Sequence, residues 1–200
     1  MNAMAKGFAL AALAASVAMP LSYVPSYADT PADTLVVANR IDDIVSLDPA
    51  EIFEFAGGDL ANNVYDTLIT FDAADLSKGY VPGFTFKMRP GVKFHSGNPV
   101  TAQDAAFSLH RAVILNKTPS FILTQFGFTA DNVKDKIKAT DDMTLVMETD
   151  KKYATSFVLN CLSATIGSIV DMKLAMEHEA DGDMGYEWMK THSAGSGAYS

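Results

Sequence analysis

Hydrophobic and polar positions along the chain follow short, readable periods. Leu35-Val36-Val37-Ala38 is a brief apolar run after a Pro/Asp-rich leader and predicts a buried strand. Asp42, Asp43, Asp48 and Pro49 then mark a loop. Apolar residues at 60, 61, 64, 65 and 68 have helical spacing and predict a helix over Leu60 to Leu68. Phe84, Phe86 and Met88 alternate with Thr85, Lys87 and Arg89, the period of a half-buried strand. Pro90-Gly91 is a turn, Val92 and Phe94 alternate with Lys93 and His95 as a second strand, and Ser96-Gly97-Asn98-Pro99 is a second turn.

The clearest local signal is a helix start at Thr101, with Asp104 three residues on as in a capping box and Val100 and Ala105 set for a hydrophobic staple. Ala102, Ala105, Ala106, Leu109, Ala112 and Val113 form its apolar stripe. Asp141-Asp142 is a turn before a strand over Thr144 to Thr149, and two further helices fit near 156–162 and 172–180. Ala194-Gly195-Ser196-Gly197 reads as a flexible turn. Strands and helices alternate, which favours an α/β architecture.

Composition sharpens this picture. The chain has 200 residues, of which 48% are hydrophobic and 20% charged, so it is globular rather than disordered. One cysteine excludes an internal disulfide framework and a cysteine-rich zinc module. The formal net charge of −9, with no basic run, argues against nucleic-acid binding. Residues 1–28 read as a secretory signal peptide. Lys6 is the positive n-region, Gly7 to Met19 the apolar core, and Ser26-Tyr27-Ala28 the small-residue cleavage site, with cleavage after Ala28. That apolar run is shorter than the ~20 residues needed to span a bilayer, so the expected product is exported and soluble rather than membrane-spanning.

Candidate chemistry is sparse. Glu177, Glu179, Asp181 and Asp183 crowd around His178, but a calcium loop counted from Glu179 meets Met184 at its sixth position and Lys190 at its twelfth. His95, His110, His178 and His192 show no i, i+4 pair. Cys161 sits in apolar context as a buried thiol. Gly195-x-Gly197 is too short for a phosphate loop, and Asn116-Lys117-Thr118 matches a glycosylation tripeptide that is common by chance. Tyr186 and Trp188 either wall a ligand or pack the edge of the core. No catalytic apparatus, metal site or cofactor site is visible, which favours binding over catalysis.

Several stretches together resemble one bacterial family. Residues 84–112, FTFKMRPGVKFHSGNPVTAQDAAFSLHRA, are similar almost throughout to the hairpin and helix of the extracellular solute-binding proteins, family 5, the peptide and oligopeptide receptors of ABC importers. Ser46-Leu-Asp-Pro49, Asn63-Val-Tyr-Asp-Thr-Leu68 and Gly195-Ser-Gly-Ala-Tyr199 resemble further family segments, in family order. The resemblance implies a class II periplasmic-binding-protein-like α/β fold, of which this chain is a part: the start of the first lobe plus an inserted extra domain. By that analogy 29–70 begin the first lobe, 71–190 form the extra domain, and 191–200 return to the first lobe.

The same resemblance implies a periplasmic receptor, not an enzyme, that needs no cofactor. It captures a peptide or peptide-like solute and delivers it to an ABC permease complex in the inner membrane. Glu54, Phe55, Ala56 and Gly57 are expected on the loop facing the ligand cleft, although Phe53 and Phe55 could equally plug the first-lobe core. Three departures stand out. The chain stops just after Tyr199, Pro82-Gly83 runs straight into Phe84 where the family carries another strand, and Ala198 replaces a proline. The expectation is therefore a truncated, internally deleted receptor, with an inactive fragment as the alternative and an exported hydrolase as a remote one.

Overall fold

The computed structural model describes residue 34, residues 41–69 and residues 80–199. The described residues from 41 onward fall in one compact unit. The expected signal peptide, the strand at 35–38 and the first residues of the expected extra domain lie outside the described residues.

Helix α1 spans Phe55–Val64. Strand β1 is Tyr80–Lys87 and helix α2 is Ala102–Leu115. The chain continues through a 3-10 turn at Thr118–Ser120, α3 (Phe121–Thr124), α4 (Val133–Lys136), β2 (Ile137–Asp141) and β3 (Thr144–Ala154). It then forms α5 (Thr155–Leu162), a 3-10 turn at Thr165–Gly167, α6 (Met172–Glu177) and α7 (Tyr186–Met189). The three strands make one antiparallel sheet in the order β1-β3-β2. Among the described residues no helix is long and apolar enough to cross a membrane.

Helix α2 is built as its sequence dictates. The Thr101 hydroxyl accepts the Asp104 amide, while Asp104 Oδ2 accepts the Thr101 amide at 2.9 Å, the reciprocal capping box. All six stripe residues are buried. They join Leu145, Met147, Ile137, Phe126 and Leu162 in the main core under the sheet. Asn116 ends the helix in the left-handed conformation, with φ of 49°. The turns at Gly91 and Gly97 likewise have positive φ, as the Pro-Gly and Ser-Gly pairs predict.

Four expectations change. The helix expected over 60–68 is α1, which starts at Phe55 and stops at Val64 because Tyr65 turns extended, with φ −118° and ψ 143°. Tyr65 and Leu68 continue the apolar spacing because the extended segment lies against residues 167–169. The Leu68 amide donates to Gly167 O at 2.8 Å, and the Ile169 amide donates to Asp66 O at 2.9 Å. The second strand expected at 92–95 is a tight loop with one bridge, Lys93 to Pro99, since each arm of so short a hairpin is only a few residues long. The helix expected over 172–180 ends at Glu177.

The Gly195–Gly197 segment is a packed strap rather than a flexible turn. The amide of Gly197 donates to Val64 O at 2.9 Å, that of Tyr199 to Asn63 O at 3.1 Å, and that of His95 to Gly195 O at 3.0 Å. A Cβ on Gly195 would overlap Val64 O, and one on Gly197 would stand 2.7 Å from Val64 C. Only glycine permits this approach to the end of α1.

Tyr65 is buried beneath this strap, and its hydroxyl oxygen lies 3.5 Å from the donating Ala194 amide. Burial pushes its phenol up to about 12, against the opposing pull of that amide. The unfolded chain ionises near its ordinary value of about 10, so the unfolded state loses its proton first as pH rises. The stabilising contribution is complete below that value and is lost as pH climbs toward the folded one. Denaturation midpoints are expected to fall between about pH 10 and 12, and Tyr65→Phe to flatten that slope. An unchanged slope in the variant would contradict the assignment.

Candidate functional site

A buried ion pair sets the direction of the expected site. Arg111, on α2, donates through Nη1 and Nη2 to the two carboxylate oxygens of Asp48 at 2.7 and 2.8 Å, with side-chain exposures of 1% and 0%. Its Nε donates to Met184 O at 3.3 Å. The fixed Asp48 in turn shapes the next four residues. Its Oδ1 accepts the Ala50 amide at 2.9 Å, and its carbonyl accepts those of Glu51 and Ile52. Ile52 is thereby buried, Phe53 to Phe55 face outward, and α1 begins at Phe55.

The four expected site residues divide. Glu54 precedes α1 and is half-buried. The amide of Val45 donates to its Oε1 at 3.1 Å and that of Phe53 to its Oε2 at 3.0 Å. Burial alone would raise its carboxyl, but these backbone donors outweigh burial and hold it below the usual carboxylate value. Phe55 is 94% exposed, while Ala56 and Gly57 turn inward. A Cβ on Gly57 would stand 2.8 Å from Glu54 Oε1, so glycine leaves room for the carboxylate to fold back over the helix start. Phe53 is 58% exposed and meets Phe121, 53% exposed, edge to face at 5.7 Å. Neither Phe53 nor Phe55 plugs a core.

Beside these rings lies a groove of about 140 Å³. Ile52, Phe53, Glu54 and Gly58 form one wall; Pro119, Ile122 and the turn at 164–166 form the other. Sequence reasoning missed the second wall. The run Phe121-Ile122-Leu123 was its only signal, since just Leu123 of the three is fully buried. A wider open depression of about 620 Å³ lies between 65–69 and 87–89. No site is assigned to it.

The remaining candidates have structural roles. Asp183, in the acidic cluster, accepts the amides of Ala180 and Gly185 on Oδ1 and of Glu187 on Oδ2. Burial alone would raise its carboxyl, yet these donors hold it lowered. They clasp a loop in which Asp181, Gly182, Met184 and Gly185 all have positive φ. His110 Nε2 donates to Ile137 O at 2.8 Å, and His95 Nε2 to Gly197 O at 2.8 Å. His178 and His192 each stack on Trp188, at 4.3 and 4.6 Å. Tyr186 is buried and donates to Glu51 Oε1 at 2.8 Å, so the aromatic pair packs the core edge. Cys161 is half-buried, and burial pushes its thiol up. Asn116 caps α2, its Oδ1 accepting the Ser120 hydroxyl at 2.9 Å.

A capped helix against an antiparallel sheet, tied by an ion pair to a loop that presents exposed aromatic rings, is part of a class II periplasmic-binding-protein fold. Solved structures with this fold include the Escherichia coli murein tripeptide binding protein MppA, at TM-score 0.59 and 24% identity over 77% of this chain and 33% of that one. They also include DppA from Helicobacter pylori in complex with peptide STSA, at TM-score 0.57 and 25% identity over 76% of this chain and 33% of that one. The model of bacterial extracellular solute-binding proteins, family 5 (middle), matches residues 83–200, and the chain belongs to that family. The periplasmic oligopeptide-binding protein OppA of Escherichia coli is 28% identical over 164 residues, 70% of this chain and 30% of its own length. Protein YhjP of Bacillus subtilis, itself uncharacterized, is 35% identical over 86 residues, 38% of this chain and 15% of its own length. The chain thus spans about a third or less of the relatives it matches.

Proposed function

We propose that this chain is the solute-binding component of a bacterial ABC importer, which captures peptides or peptide-like solutes in the periplasm and hands them to a permease complex in the inner membrane. The observation that carries this reading is the exposed edge-to-face pair Phe53–Phe121 beside a groove lined by Phe53 and the Glu54 carboxylate, with Phe55 exposed on the adjoining first turn of α1. Exposed aromatic surface clustered in this way marks a binding site rather than a finished surface. Membership of a family whose relatives are named as oligopeptide- and murein-tripeptide-binding proteins supports peptides as the solute class. Glu54 and Phe55 contact the ligand in this reading, and Ala56 and Gly57 back them from the first turn of α1.

Residues 29–70 and 191–200 then belong to the first lobe and 71–190 to the inserted domain. The hydrogen bonds from Gly197 and Tyr199 to Val64 and Asn63 favour this division. Residues 1–28 are the export signal.

Thermal denaturation with defined tri- and tetrapeptides tests the reading. A bound peptide at a hundred times its Kd is expected to stabilise by about 2.7 kcal/mol. Phe55→Ala is expected to weaken that shift while leaving the unliganded midpoint unchanged, because the ring is almost wholly in solvent. An absence of any shift at millimolar peptide counts against the receptor reading.

A further inference from the structure

Among the described residues, Glu54 is the one ionisable group lining the 140 Å³ groove; Ile52, Pro119, Ile122 and Ile166 make most of its surface apolar. The ion pairs among the described residues are Asp48–Arg111, Glu148–Lys136, Asp135–Lys138 and Glu187–Lys190, and none involves Glu54. Glu54 Oε1 accepts the Val45 amide and Oε2 the Phe53 amide, its own amide is a further backbone donor, and a carboxylate with about four lone-pair sites keeps room for one more donor. The carboxylate is anionic at neutral pH and is held in place by those amides. The groove is smaller than the roughly 300–1,000 Å³ that encloses a whole small ligand, so it accepts a single side chain.

We infer that this groove is a side-chain subsite for a cationic residue on an aliphatic stem, of the lysine type. The stem lies along Ile52, Ile122 and Ile166, and the ammonium donates to Glu54. The inference rests on the receptor reading above. Its physical basis is complementarity in two parts. A long aliphatic stem buries well on an apolar wall while its charged head stays with a partner, and a fixed carboxylate makes a charge-assisted hydrogen bond to that head. A neutral aliphatic side chain would desolvate the carboxylate without replacing the lost water. An acidic one would be repelled.

The test uses the full chain and three sets of alanine tripeptides carrying lysine, norleucine or glutamate at each position in turn. Lysine is expected to bind about tenfold more tightly than norleucine at one position, with glutamate weakest, and the preference should shrink as salt rises. Glu54→Gln should bring the lysine-to-norleucine ratio close to one while norleucine still binds.

Gly58→Leu is the second variant. A Cβ there meets open space in the groove wall, so the leucine fills the groove without disturbing α1 and should abolish the preference. Thermal midpoints show that both variants are folded. Equal binding of lysine and norleucine at every position, or a preference that survives Glu54→Gln, overturns the subsite alone. Binding of none of the peptides overturns the subsite and the receptor reading together. A concentration-dependent dimer that no tripeptide dissociates assigns the groove to a second copy and also overturns the subsite.

Discussion

Replacing Arg111 with alanine is expected to cost about 3–5 kcal/mol of folding stability, as is replacing Asp48 alone. The two side chains are essentially without solvent contact and meet in a bidentate pair at 2.7 and 2.8 Å. Removing either leaves an uncompensated charge in the interior. Arg111 also donates to the carbonyl of Met184, a residue at φ 55°, so its loss frees the 181–185 loop. Asp48 in addition shapes the turn that delivers Ile52, Phe53 and Glu54 to the groove.

The double replacement Asp48→Leu with Arg111→Met should be less damaging than the sum of its parts, because paired apolar side chains leave no orphaned charge. Denaturant titration of the two single variants and the double variant measures the coupling. Single variants that lose under about 1 kcal/mol would show that the pair does not hold the fold as argued. On the proposed receptor function, the same Arg111 variant should also reduce the peptide-induced thermal shift when folded, since Glu54 would no longer be delivered in register.

The second large effect is expected at Asp171, whose alanine variant should lose about 2–4 kcal/mol. Asp171 is fully buried and works in three directions. Its Oδ1 accepts the Leu174 amide at 3.0 Å and caps α6. Its Oδ2 accepts the Ser96 hydroxyl at 2.5 Å and the Asn98 amide at 2.8 Å. Its own amide donates to Ala194 O at 2.9 Å.

The residues on either side bind the same segment to α2. The Val170 amide donates to Ser108 Oγ, and the Met172 amide donates to Asp104 Oδ1. Asp171→Asn should recover about half of the loss. It keeps an acceptor for the cap but turns a donor toward Ser96 and Asn98. Equilibrium unfolding of both variants checks this order. Equal stability of Asp171→Ala and the parent chain would mean that the Ser96–Asn98 turn is held by other contacts.

These two residues also explain why so much of the fold was legible. The stretches that resemble the family are rich in connectors. Asp48 of Ser46–Pro49 reaches Arg111 at the end of the 84–112 stretch, Asn98 of the same stretch reaches Asp171, and the two glycines of 195–199 sit against the end of α1. Turn glycines, the Thr101–Asp104 box and the Phe84–Phe86 alternation each act within a few residues, so they can be read along the chain. Strand β2 could not. Its pattern Ile-Lys-Ala-Thr-Asp buries only Ile137, and it is a strand because β3 supplies a partner.

The site was legible only in part. Position after the first loop and the family resemblance single out Glu54, which lines the groove, but nothing local distinguishes Phe55, in solvent, from Phe94, buried in the core. Ile122 of the groove wall and the exposed Phe121 were invisible because an apolar triplet on a four-residue helix reads as core. Their exposure follows from which face of α3 meets the main core, a decision taken by Leu123 and Phe126.

The sequence by itself therefore determined the capped helix, the turns, the alternating strand and the family of this protein, because those signals rest on backbone conformations and periodicities that each residue carries with it. The tertiary structure alone decided that Asp48 and Arg111, 63 residues apart, share one buried ion pair. It alone set Phe53, Phe55 and Phe121 on the surface and left Glu54 in a groove wall with no ion pair among the described residues. Those outcomes depend on which distant segments come together and on what water they exclude, and neither quantity is a property of any short stretch of chain.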